Sequence, residues 1–229
     1  TILKAKEIMK CDLFQVYGLT ETSGAITILM PEDHDPEKGK LRSCGKALNS
    51  VEIKVVDDEG NEVKTGDIGE VISKSPLNMK GYWNRPDATE EAIKDGWFYS
   101  GDAGFFDDEG YLYIHDRVKD MIVSGGENIY PAEVENALMS HPEIADAAVI
   151  GVPDEKWGES VKGFVVLQPD SSLDETEIIS YTRTQLAGYK CPKTINFIEA
   201  LPRNPSGKIL RRELREPFWE GKDRMVSGN

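Results

Sequence analysis

Asp116-Arg-Val-Lys-Asp-Met-Ile-Val-Ser-Gly-Gly-Glu-Asn-Ile-Tyr-Pro-Ala-Glu-Val-Glu135 is the stretch whose reading divides this chain. Charges of both signs at Asp116, Arg117, Lys119 and Asp120 lead into the apolar run Met121-Ile122-Val123, which predicts a strand with solvent at its mouth. Gly125 and Gly126 follow. Two adjacent glycines permit positive φ or close backbone approach to a ligand. Pro131, with Glu133 and Glu135 behind it, then predicts the first turn of a helix. Strand, glycine turn and helix make a shape that can hold an anion, or an ordinary connection that binds nothing.

The alphabet differs on the two sides of this stretch. From Ala25 to His115 it is β: Ile26 to Leu29, Val51 to Val56, Gly69 to Ile72 and Tyr111 to Ile114 read as strands. Asp-Asp-Glu-Gly occurs at 57–60 and again at 107–110, each predicting a hairpin turn with glycine at a positive-φ position. A short helix is expected over Ala88 to Ile93, and Asp102 just past an aromatic strand, Trp97 to Tyr99. Upstream of these, Ile2 to Lys10 reads as a helix. Phe14 to Tyr17 reads as a strand ending in Gly18 and the polar run Thr20 to Gly24, whose hydroxyls, amides and one carboxylate are a binding-loop composition. Beyond Asp116, helices over Pro131 to Ser140, Leu173 to Leu186 and Ile209 to Leu214 alternate with strands over Ile144 to Val152, Val161 to Leu167 and Thr194 to Ile198. Between the strands Ile144 to Val152 and Val161 to Leu167, the connection is expected to contain Gly151 to Asp154 and Trp157-Gly158. This is the pattern of a small α+β domain, with the boundary between Asp116 and Lys119.

At 229 residues and 39% apolar composition the chain can bury a sizeable core, and its net charge of −14 argues against a nucleic-acid or anionic-membrane binder. Against that background, Arg183 to Arg215 holds eight Lys or Arg and two Glu, a solvated basic face or a site for a compact anion. Cys11, Cys44 and Cys191 are scattered and odd in number, which suggests neither a disulfide framework nor zinc and suits a reducing cytoplasmic setting. His34, His115 and His141 lack metal-ligand spacing and are expected as core or surface residues. No apolar run is long enough for an integral membrane segment.

Four separated motifs then fall in the order of one family: Tyr17-Gly-Leu-Thr-Glu-Thr-Ser-Gly24, Gly96-Trp-Phe-Tyr-Ser-Gly-Asp102, Asp116 to Ile129, and Pro202-Arg-Asn-Pro-Ser-Gly-Lys-Ile-Leu-Arg-Arg-Glu-Leu214. Together they resemble the adenylate-forming (AMP-binding) enzymes, most closely the acyl-CoA synthetases. The resemblance implies an α+β protein in which 1–116 is the β-rich end of the large adenylation domain and 117–229 is the C-terminal lid domain. It implies ATP, Mg²⁺ and CoA as ligands and a carboxylic acid, fatty acid foremost, as substrate. Tyr17, beside Gly18, would stack on adenine. Thr20 would bond the α-phosphate, Glu21 would hold Mg²⁺, Asp102 would take both ribose hydroxyls, and Arg117 would reach ribose or phosphate. Lys208 would bridge the substrate carboxylate and the α-phosphate. Lys119 matches the hinge about which similar enzymes rotate the lid, bringing Gly125 and Gly126 to a pantetheine channel; Asn128 and Trp157 are candidates for AMP and CoA contact.

Gly207-Lys208 is not the end of a phosphate-binding loop of the G-x-x-x-x-G-K-[ST] kind, because Pro202 and Ile209 stand where Gly and Ser or Thr are needed. The family's own Ser/Thr/Gly-rich phosphate loop is missing, and the sequence opens on Thr1, so the expectation is the C-terminal portion of a longer ligase that does not adenylate alone. Three alternatives stay open: a carrier-protein-loading adenylation domain, a luciferase-like branch, or a non-catalytic nucleotide-binding or interaction module.

Overall fold

The computed structural model describes residues 2–221, which form two compact units, one ending at Val118 and the other starting at Lys119. The first opens with helix α1 (Ile2–Met9) and a three-stranded antiparallel sheet, β1 (Gln15–Leu19), β2 (Gly24–Leu29) and β3 (Lys46–Ala47). Its second sheet is five-stranded. In it β4 (Glu52–Val56), β5 (Gly69–Lys74), β7 (Trp97–Phe106) and β6 (Ile93–Lys94) lie in that order, with β8 (Leu112–Arg117) also paired to β7. Helix α2 (Pro86–Ala92) leads into β6, with proline at its start where no amide is needed. Val55, Val71 and Leu112 form the buried core of this sheet, and Tyr17 of β1 packs against them. Gly60 and Gly110 take φ of +83° and +78° in the two Asp-Asp-Glu-Gly turns, as the repeated motif predicts.

The second unit is a sheet covered on both faces. Strands β9 (Ile122–Ser124), β10 (Glu127–Ile129), β11 (Ile144–Asp154), β12 (Gly158–Leu167) and β13 (Thr194–Phe197) make it, with β13 parallel to β12 and the rest antiparallel. Successive side chains of a strand point to opposite faces. Ala147 and Val149 accordingly join the cluster with Val134 and Leu138 of α3 (Pro131–Met139) and Ile178 of α4 (Glu175–Arg183). Ala148 and Ile150 join Phe164, Leu201 and, from α5 (Arg211–Trp219), Leu214 and Phe218. That two-sided burial explains the nearly unbroken apolar run of β11.

The structure corrects the sequence reading at several points. Gly125 and Gly126 do not connect a strand to a helix. Both have positive φ, +63° and +86°, and they close a tight β9–β10 hairpin, with Glu127–Ile129 standing between the glycines and α3. The expected connection Gly151 to Asp154 continues β11, paired residue for residue with β12 down to Asp154 and Gly158. Helix α4 starts at Glu175 because Asp174 caps it: Asp174 accepts from the Glu177 amide at 2.8 Å and Glu177 accepts from the Asp174 amide at 3.0 Å. The last helix runs to Trp219, through Pro217. Asp102 lies within β7, not beyond it.

Candidate active-site groups

In the first unit the polar site is built where two sheets meet. Asp102 and Arg117 are register partners on β7 and β8, so their side chains are neighbours by the geometry of antiparallel pairing. Arg117 Nε donates to Asp102 Oδ1 at 2.7 Å, and the Tyr17 hydroxyl donates to Asp102 Oδ2 at 2.6 Å. Asp102 is 6% exposed. A carboxylate has about four lone-pair directions, so two donors leave room for hydroxyl donors from a ligand. Burial, and then the charge and hydrogen bond of Asp102, push the Tyr17 hydroxyl well above the ordinary tyrosine range. It is a fixed donor at neutral pH.

Beyond Tyr17, the β1–β2 pairing shifts register, with Ile26 of β2 the extra residue opposite Tyr17 and Gly18, and a Cβ at Gly18 would sit 1.9 Å from the Gly24 carbonyl oxygen. Only glycine fits there. The chain then turns through Thr20–Thr22, closed by Ser23 in the left-handed region and by buried Thr22, whose hydroxyl lies 2.9 Å from the Leu19 amide and 2.7 Å from the Gly24 carbonyl. Thr20 is exposed on this turn, beside a depression lined by Val16, Gly18, Leu19, Gly24 and Ala25. Glu21 accepts from the Tyr82 hydroxyl at 2.9 Å, and its carbonyl accepts from the Met79 amide at 2.6 Å. Burial and then Glu21 raise the Tyr82 hydroxyl's pKa, with Arg117 opposing. Tyr82 is therefore a polar member of this site that no sequence motif pointed to.

The described residues contain no group of three or more His, Cys, Asp or Glu able to hold a metal. Glu21 alone supplies one hard carboxylate. That donor set fits Mg²⁺ only when phosphate oxygens and water complete the octahedron, the usual manner for this ion.

In the second unit the chain enters through the 3₁₀ turn Val118–Asp120, with Lys119 exposed. Asp120 pairs with Arg215 at 2.7 Å and lies 3.9 Å from Arg211, which in turn clasps Glu135 of α3 at 2.7 and 2.9 Å. Lys208 is exposed on a loop organised around Asn204. The Asn204 Oδ1 accepts from Ser206 N, Ser206 Oγ and Lys208 N at 3.0, 2.8 and 2.9 Å, and Gly207 takes φ of +84°. Arg203 fastens the loop's base, donating to the Gly207 carbonyl and to Asp146, each at 2.6 Å. The lysine is thus presented from a braced loop and not embedded in a core.

Gly125 and Trp157 are brought together. The Gly125 amide donates to the Trp157 carbonyl at 2.8 Å, and a Cβ at 125 would lie 2.7 Å from the indole. The ring is 42% exposed, with Lys156 and Lys193 ammoniums 4.5 and 5.4 Å from its centroid. An aromatic face flanked by cations suits an anionic ligand with an apolar arm. Asn128 is exposed on β10. Of the histidines, His34 is buried with neither ring nitrogen hydrogen-bonded and His141 packs edge-on against Tyr181.

Two family models match the chain, one described as AMP-binding enzyme over residues 1–83 and one as AMP-binding enzyme C-terminal domain over residues 133–208. A fatty acid–[acyl-carrier-protein] ligase of Streptomyces coeruleorubidus is 46% identical over 96% of this chain, and a long-chain-fatty-acid–CoA ligase of Mycobacterium tuberculosis is 46% identical over 95%. The chain spans about 42% of the length of each of these relatives. Among solved structures, o-succinylbenzoate CoA synthetase of Bacillus subtilis with its acyl-adenylate intermediate superposes with a TM-score of 0.84 at 43% identity, over 93% of this chain and 43% of that one. The same enzyme in complex with ATP and magnesium ion gives 0.83 at 42% identity, with the same coverage.

Proposed function

This chain belongs to the adenylate-forming (AMP-binding) enzymes and corresponds to their C-terminal portion, and from that premise we propose that it supplies part of the nucleotide site and the lid of an AMP-forming acid–thiol ligase. In this reading the end of the large domain and the lid divide as the two compact units do, at Val118 and Lys119, two residues beyond the expected boundary after residue 116, since Arg117 pairs with Asp102 within the first unit. The observation that carries the reading is the Tyr17–Asp102–Arg117 cluster, with Thr20 exposed on the turn that follows Tyr17. In it the Tyr17 ring is the adenine platform. Asp102 accepts from the ribose hydroxyls while Arg117 and Tyr17 hold its carboxylate in one orientation, and Arg117 adds positive charge for ribose or phosphate. Thr20 donates to the α-phosphate and Glu21, oriented by Tyr82, holds Mg²⁺, which neutralises charge on the departing pyrophosphate when bound.

In the first half-reaction a carboxylate oxygen attacks the α-phosphorus of ATP, giving acyl-AMP and pyrophosphate. Lys208 stabilises the charge developing between the two anions, a task for a compact ammonium. In the second, a thiol attacks the acyl carbon and AMP leaves with the bond electrons. Lys208 has to be clear of the thiol's path at that stage, so the lid turns at Lys119 and the Gly125-Gly126 hairpin, Asn128 and Trp157 serve AMP and the pantetheine arm of CoA. The acid is a fatty acid in this reading. Half-buried Cys44 and buried Cys191, whose thiols desolvation pushes above the ordinary range, suit a reducing cytosol. No helix among the described residues is long and apolar enough to cross a membrane.

One observation favours a second acceptor: the Streptomyces relative is named for an acyl-carrier-protein. Offering a full-length ligase carrying these residues CoA or a phosphopantetheinylated carrier protein separates the two. The test of the core reading is Lys208→Ala in that enzyme. Pyrophosphate release from acid and ATP is expected to fall by about 10²–10³-fold, while thioester formation from supplied acyl-AMP is retained; equal losses in both steps would refute the role.

A further inference from the structure

Glu70 is a half-buried carboxylate to which the proposed mechanism gives no task. It sits on β5 at the point where the pairing with β7 loses register. Glu70 faces Ala103 and Ile72 faces Tyr99, so three residues, Ser100, Gly101 and Asp102, stand opposite the single residue Val71. Bulges of this kind bend a strand and re-aim a side chain. This one has two side-chain fasteners. Glu70 Oε1 accepts from the Gly101 amide at 2.8 Å. The Ser100 hydroxyl donates to the Val71 carbonyl at 2.6 Å and accepts from the Asp102 amide at 3.0 Å. Gly101 needs such holding, because at φ of +69° with nothing within 4 Å of a would-be Cβ, neither sterics nor its own preference fixes its peptide. Burial raises the Glu70 carboxyl's pKa, while the Gly101 amide and Lys94 pull it down.

We propose that Glu70 is a positioning residue for nucleoside recognition: by anchoring the Gly101 amide, with Ser100 anchoring the next one, it sets the direction in which the Asp102 carboxylate meets the ribose. The proposal rests on the assignment of Asp102 to the ribose hydroxyls. Glu70 itself touches the backbone and not the ligand, so its removal should act only on the part of binding that runs through those hydroxyls.

The experiment compares KM for ATP with KM for 2′,3′-dideoxy-ATP in the pyrophosphate-releasing reaction of a full-length ligase carrying these residues. Glu70→Ala is expected to raise KM for ATP about tenfold, the worth of one well-placed hydrogen bond, with kcat little changed and KM for the dideoxy nucleotide unmoved. Glu70→Gln keeps an oxygen acceptor and is expected to restore KM for ATP. An alanine variant that weakens both nucleotides equally, or neither, overturns the proposal, as does a glutamine variant as impaired as alanine. Should Glu70→Ala not fold, Ser100→Ala carries the same test, with selective loss supporting and uniform loss overturning. Asp102→Asn identifies failure of the underlying assignment: if that variant still discriminates ATP from the dideoxy nucleotide as the unaltered enzyme does, the ribose role of Asp102 falls and the inference falls with it.

Discussion

Replacing Arg211 by Met keeps most of the side chain's volume and removes its charge, which isolates the ion network at the base of α5. Arg211 clasps both oxygens of Glu135, and the Glu135 Oε1 also accepts from the Val149 amide of β11 at 2.8 Å. The two side chains are 19% and 13% exposed. Breaking a fully buried pair costs about 3–5 kcal/mol, since one charge is left without its partner. Residual solvent access and the surviving Val149 bond reduce this to about 2–3 kcal/mol, or a fall in melting temperature of roughly 10 °C for a unit of this size. Calorimetry of the 229-residue chain, with amide exchange at Val149 as a local probe, measures it; a two-unit chain need not melt in one step. Adding Glu135→Gln, which preserves an acceptor for Val149, is expected to recover most of the loss, because removing both charges removes the stranded one. A single variant within about 0.5 kcal/mol of the original, the usual noise of a neutral surface change, or a double variant no better than the single, would refute this account.

Two further outcomes are expected. Tyr17 has a folded-state pKa raised above the ordinary tyrosine value of about 10, so its contribution to stability is fully present below that value and is lost as pH climbs above it, when the unfolded chain ionises first. Tyr17→Phe should flatten the alkaline fall in stability, seen by denaturant melts above pH 10, and an unchanged slope counts against the Tyr17–Asp102 bond. Gly125→Ala places a methyl both at positive φ and against the Trp157 ring, so a loss of about 1–3 kcal/mol with a shifted tryptophan emission is expected; an unaltered spectrum and stability would show that the ring does not rest there.

Much of this was legible because local chemistry and tertiary demand agree. The Asp-Asp-Glu-Gly turns and the start of α3 at Pro131 follow from short-range signals, whereas Lys208 was singled out only by the family resemblance. The failures share one cause, that strand pairing is set by partners distant in sequence. Glu127–Ile129 has little intrinsic strand character and is a strand because Ile122–Ser124 lies opposite. Gly151 to Asp154 reads as a turn and is held straight by residues 158–161. The bulge at Ser100–Asp102 could not be inferred from β7 alone, since it exists only relative to β5, and Glu70 and Tyr82 were invisible as site residues for the same reason.

The β11–β12 hairpin carries a kinetic consequence. Its two strands are adjacent in sequence and closed by a three-residue loop, so their contacts form at little cost in chain entropy. The parallel partner β13 must wait for the segment containing α4 to cross back, and α5 docks on β11 from farther still. The hairpin is thus the natural nucleus of the second unit and the Lys208 loop with α5 the last part to set. Weakening α5 should accelerate unfolding and leave the rate of folding nearly untouched, so the segment that carries the proposed catalytic lysine is also the first to be released when the unit opens.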